Sequence, residues 1–68
     1  MPDETELAMT RRHVREGEAH VARQREIVNE LSDHGHDTVM AETLLAEFES
    51  TLRDHRAHLA RLLAAGAR

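Results

Sequence analysis

The sequence predicts an all-α fold: a two-helix antiparallel hairpin, coiled-coil-like along its seam, that pairs into a four-helix bundle. Three observations carry this expectation. Breakers are scarce, with proline only at Pro2 and glycine only at Gly17, Gly35 and Gly66, in a chain rich in Ala, Leu, Glu and Arg. Two long stretches place apolar residues at helical steps of three, four and seven. Between them, Gly35-His36-Asp37-Thr38 supplies a helix stop followed by helix-capping residues.

The first helix is expected over about residues 4–33. Asp3 can cap it, with Glu6 three residues later as in a capping box. Leu7, Val14, Val21 and Val28 recur every seven residues, and Leu31 extends the stripe. The intervening positions, Thr10, Gly17 and Gln24, are polar or small, a poor seam for an isolated coiled coil. Residues 34–37 form the turn, where Gly35 adopts positive φ at no steric cost. Asp37 or Thr38 then caps the second helix, expected over about residues 38–64 and ended by Gly66. Its seam is cleaner: Ala41, Leu45, Phe48, Leu52, His55, Leu59 and Leu62, with His55 the one polar member. So short a connection makes the helices antiparallel neighbours, and residues 1–68 a single domain.

Partners across an antiparallel hairpin have residue numbers with a constant sum, here expected at about 72 or 73. Val21 then meets Leu52, Val28 meets Leu45 and Val14 meets Leu59. The same register sets Gln24 opposite Phe48 and Gly17 opposite His55, a missing side chain facing a ring.

One flank carries Glu4, Arg11, Glu18, Arg25, Glu42, Glu49 and Arg56 and should face water. The other carries His13, His20, Ile27, Leu44, Thr51 and His58, with Ile27 paired to Leu44 and His13 to His58. A lone hairpin cannot bury both its seam and this second flank. Two hairpins packed flank to flank can, as a two-fold homodimer with crossing angles near ~20°. The expected dimer interface comprises His20, Val21, Ile27, Val28, Leu44, Phe48 and Thr51.

Chain length sharpens the same point. A core in 68 residues rarely supplies more than about 3–5 kcal/mol, so such chains need a staple. There is no cysteine, which excludes disulfides, thiolate metal sites and thiol nucleophiles. The staple is then oligomerisation or a non-thiolate metal. The net charge of −4 argues against general nucleic-acid binding. Arg11, Arg12 and Arg15 with Arg23 and Arg25 form a modest basic stripe, which keeps a DNA-associated regulator as an alternative beside a plain solvated face. Arg12–Glu16 and Glu49–Arg53 have the i, i+4 spacing of helix ion pairs. The longest uncharged run, Leu62–Ala67, is far too short to cross a bilayer, and the acidic start is unlike a signal peptide. The expectation is a cytoplasmic protein without membrane contact. No nucleophile–base–orienter set or glycine-rich phosphate loop has recognisable spacing, so no enzymatic activity is expected.

The histidines admit three readings. His13, His55 and His58 are candidate metal ligands, since imidazole suits zinc, nickel, copper or iron, with Glu16 and His20 one and two turns from His13. Alternatively, His55 packs against Gly17 and the others are amphipathic flank residues. Between these lies a pH-sensitive interface, in which charged imidazoles repel and weaken association below about pH 6. His34 and His36 read as solvated turn residues.

The string from His20 to Val28, then Leu31, then Gly35-His36-Asp37-Thr38 and Ala41 to Glu49, resembles a group of short, uncharacterised bacterial helical-hairpin proteins. The similarity covers roughly His13 to Leu62 and implies a hairpin shape, with no reaction attached to it. The functional expectation is a non-enzymatic oligomerisation or protein-interaction module without a cofactor, acting as a homodimer or with an unidentified protein partner. The alternative is a histidine-based metal-binding bundle.

Overall fold

The computed structural model describes residues 4–66. Two helices, α1 (Glu6–Asp33) and α2 (Val39–Ala64), pack along their lengths as an antiparallel hairpin. Thr5 caps α1: its side-chain oxygen accepts the Ala8 N–H at 3.0 Å. The proposed Asp3 cap lies outside the described residues. At the other end, Gly35 takes φ +71°, so the His36 N–H reaches the Leu31 carbonyl at 2.8 Å and the Gly35 N–H that of Ser32 at 3.0 Å. These two bonds are a Schellman stop. α2 begins as its residues suggest: Asp37 Oδ1 accepts the Val39 N–H at 2.9 Å, and Thr38 Oγ1 donates to Glu42 Oε2 at 3.0 Å.

Val21 and Leu52 border one groove, as the expected register requires, but the pairings at Gly17 and along the ring-bearing side differ from it. Gly17 faces Leu52, not His55: a Cβ built on Gly17 would lie 3.1 Å from Leu52 Cδ1 and 3.7 Å from its Cα. His13 meets His55, not His58, and His20 meets Phe48. Partner numbers sum to 68 or 69 at these contacts but to 74 for the Arg25–Glu49 and Glu18–Arg56 ion pairs on the opposite face, so the expected 72 or 73 lies between the two sides of the seam. The large–small complementarity is real, but the gap accommodates a leucine where a histidine was expected. The close approach explains why α1 carries a glycine in mid-helix, at a propensity cost of about 1 kcal/mol.

The weak-looking seam positions of α1 are among its most buried. Thr10, Gly17 and Gln24 join Leu7 and Val21 inside, with Leu52 opposite. Each polar group is satisfied, as burial demands. The Thr10 hydroxyl donates to the Glu6 carbonyl at 2.7 Å, and the Gln24 amide donates across the hairpin to the Ala41 carbonyl at 2.9 Å. Among the described residues the buried apolar side chains are Leu7, Val21 and Leu52.

The hairpin is a single layer measuring 48 × 26 × 13 Å. Its radius of gyration is 15.5 Å, against about 11 Å for a compact chain of this length. Its accessible surface is 5164 Å², against about 4,300 Å² for a compact monomer of this mass.

Candidate functional site

A flat hairpin has two broad faces, and here they differ. On one, ion pairs bridge the helices: Arg25 to Glu49 at 3.2 Å and Arg56 to Glu18 at 3.1 Å. They border a shallow groove of about 440 Å³ over Val21 and Leu52. Exposed pairs of this kind contribute little stability, but they make this the charged face. The sequence placed these residues on the charged flank correctly. It sent Glu49 to Arg53, however, whereas the carboxylate takes Arg25 from the other helix.

The second face bears aromatic and imidazole rings in cross-helix pairs. His20 lies against Phe48 with centroids 5.5 Å apart, and His13 against His55 at 4.9 Å with planes tilted by 42°. Nearer the open end, His58 Nε2 stands 3.7 Å from Glu6 Oε2. Toward the turn, Ile27 follows His20 by two helical turns and is half-buried, as are Val28 and Phe48. Leu44 is 40% exposed, and Thr51 is exposed.

The residues predicted as metal ligands are only partly brought together. His13 and His55 are neighbours, but His58 lies against Glu6 instead. Among the described residues, no group of three or more His, Cys, Asp or Glu side chains is placed to hold a metal ion. The predicted dimer interface needs one correction. Val21 is buried within the hairpin and borders the charged-face groove, so it serves the internal seam. His20, Ile27, Val28, Leu44, Phe48 and Thr51 keep some exposure.

Met40 was missed. It is 82% exposed on the first turn of α2 and shares a shallow surface depression with Ala41, Thr43, Leu44 and Glu47. Its i, i+4 spacing from Leu44 was the available signal.

Three of the five arginines of the stripe are paired with carboxylates. Arg12 donates to Glu4 at 2.8 Å and to Glu16 at 3.1 Å, and Arg23 reaches Glu26 at 3.2 Å. The Arg12 hydrogen bonds hold the Glu4 carboxyl below the usual glutamate range, and Glu4 in turn raises the Arg12 guanidinium. Arg12, Arg23 and Arg25 are thus each engaged by carboxylates. No helix among the described residues is long and apolar enough to cross a membrane. Compared with protein-family models, curated proteins and solved structures, the chain matches none.

Proposed function

We propose that this chain is a non-enzymatic, cytoplasmic oligomerisation module whose ring-bearing face pairs with a second copy to make a four-helix bundle. The carrying observation is the single-layer shape with two unlike faces. Stable domains need two packed layers around a core, and this hairpin supplies one. Its surface exceeds that of a compact chain by about 900 Å², close to the ~800 Å² each partner gives up in a standard interface. Ion pairs make the opposite face the charged one, so the face carrying Ile27, Leu44 and Phe48 is the one to cover. A second copy is the simplest occupant, because a two-fold axis matches the face to itself: apolar turn ends meet apolar turn ends.

Replacing Ile27 and Leu44 together by aspartate should give a monomer that has lost most of its helical signal. The matched pair Arg25→Gln with Glu49→Gln on the other face should leave both mass and helicity unchanged. An aspartate double variant that remains helical and monomeric contradicts the proposal, because the hairpin would then stand alone.

A further inference from the structure

We propose that His13 and His55 form a two-imidazole site for a borderline divalent transition-metal ion of the copper, nickel and zinc class, clasping the open end of the hairpin. The inference stands on the cross-helix ring pair and does not require the dimer. Each ring comes from a different helix, and both side chains are half-buried within the hairpin, so the pair is held in place without being sealed by the hairpin itself.

The spacing suits ligation. An imidazole nitrogen binds such an ion at about 2.0–2.1 Å, and the ring centre lies about 1.1 Å farther back, so each centroid sits roughly 3.2 Å from the ion. Two such rings at a bond angle of about 100–110° have centroids about 4.9–5.2 Å apart. The observed separation is 4.9 Å, with planes tilted by 42° rather than stacked flat. The packed seam beneath fixes both backbones: the neighbouring layers are His20 against Phe48 and Gly17 against Leu52.

Two protein ligands leave positions open, unlike the closed four-ligand sites of structural zinc. Imidazole donors favour copper(II) over nickel(II) and zinc(II) in the usual order of divalent affinities. Because both ligands face each other only in the folded hairpin, a bound ion stabilises it and joins α1 to α2 where the loop does not.

The test is titration of untagged full-length protein with copper(II), nickel(II) or zinc(II) alone, read by native mass spectrometry and by thermal unfolding at 222 nm. The expected result is one ion per hairpin, a raised melting temperature, and copper bound tightest. His13→Gln and His55→Gln should each weaken binding at least about tenfold, as losing a ligand costs no less than disturbing its outer shell. The double variant His34→Gln with His36→Gln, at the exposed turn, should bind as the parent does. Circular dichroism checks that each variant keeps its helicity. Binding that survives His55→Gln, binding lost equally with the turn variant, or no retained ion overturns the site. The same spectra keep this test separate from the preceding one. A two-chain mass without an ion refutes only the metal site, and a one-chain mass with an ion refutes only the dimer.

Discussion

The helix register can be tested by exchanging a large and a small residue across the seam. Gly17 touches Leu52 so closely that an added Cβ would sit 3.1 Å from Leu52 Cδ1 and 3.7 Å from the Leu52 backbone. Gly17→Leu gains about 1 kcal/mol of helix propensity. It then forces a four-carbon side chain into space already filled, at a cost near the upper end of the ~1–3 kcal/mol typical of overpacking. The net loss is about 2 kcal/mol. Leu52→Ala alone removes the most buried apolar side chain and costs about 2–3 kcal/mol, the lower part of the usual range, because its site borders an open groove. If the two changes were independent, the double variant would lose about 4–5 kcal/mol, nearly all that a chain of this size possesses. With the side chains exchanged across one contact, the double variant should recover at least about 2 kcal/mol of that sum. Urea and thermal unfolding followed at 222 nm, at one fixed protein concentration, would measure the cycle. In the alternative register Gly17 faces His55, and His55→Ala would be the rescuing change. Rescue by His55→Ala and none by Leu52→Ala would refute the Gly17–Leu52 contact and the ring pairings beside it.

Two further outcomes are expected. The Glu4 carboxyl lies below the ordinary value of 4.5 because Arg12 hydrogen-bonds its ionised form. A depressed carboxylate adds stability that is present above its ordinary value and is lost as pH falls through the folded one, so the Glu4–Arg12 tie should open only below that value. An NMR titration of the Glu4 side chain should show this, and Arg12→Gln should return Glu4 to the ordinary range; an unmoved midpoint would rule out Arg12 as the cause. Gly35→Ala has free space around its new methyl but must hold φ at +71°, so its cost is backbone strain alone. About 1–2 kcal/mol is expected, which at ~4–8 °C per kcal/mol is an easily read fall in melting temperature.

Both helices and their turn were legible in the sequence because each rests on local chemistry. Gly35 stops α1 by its left-handed backbone, Asp37 supplies an acceptor to the first amide of α2, and the apolar stripes repeat over several turns. The exact cross-helix pairings were legible only in part, since Val21 and Leu52 do share a groove while the ring pairs differ, and the reason is the repeat itself. Sliding one helix by a turn sets apolar positions opposite apolar positions again, so Leu7, Val14, Val21 and Val28 cannot choose between neighbouring registers. The choice lies in contacts that pattern does not encode: the fit of Leu52 over Gly17, and the reach of the Gln24 amide to the Ala41 carbonyl. The same slide explains the histidines. His13, His55 and His58 share a face in either register, but only side-chain placement decides that His13 meets His55 and His58 meets Glu6. The division into a charged and a ring-bearing face was legible, because helical spacing alone fixes the face each residue occupies.

The central claim is that one layer of two helices is completed by a second copy. Sedimentation equilibrium of the untagged chain across a wide concentration range, with melting curves at each concentration, tests it most directly. The account predicts a folded species at twice 7.7 kDa and a melting temperature that rises with concentration. A fully helical species at 7.7 kDa, melting cooperatively at a temperature independent of concentration, would contradict it.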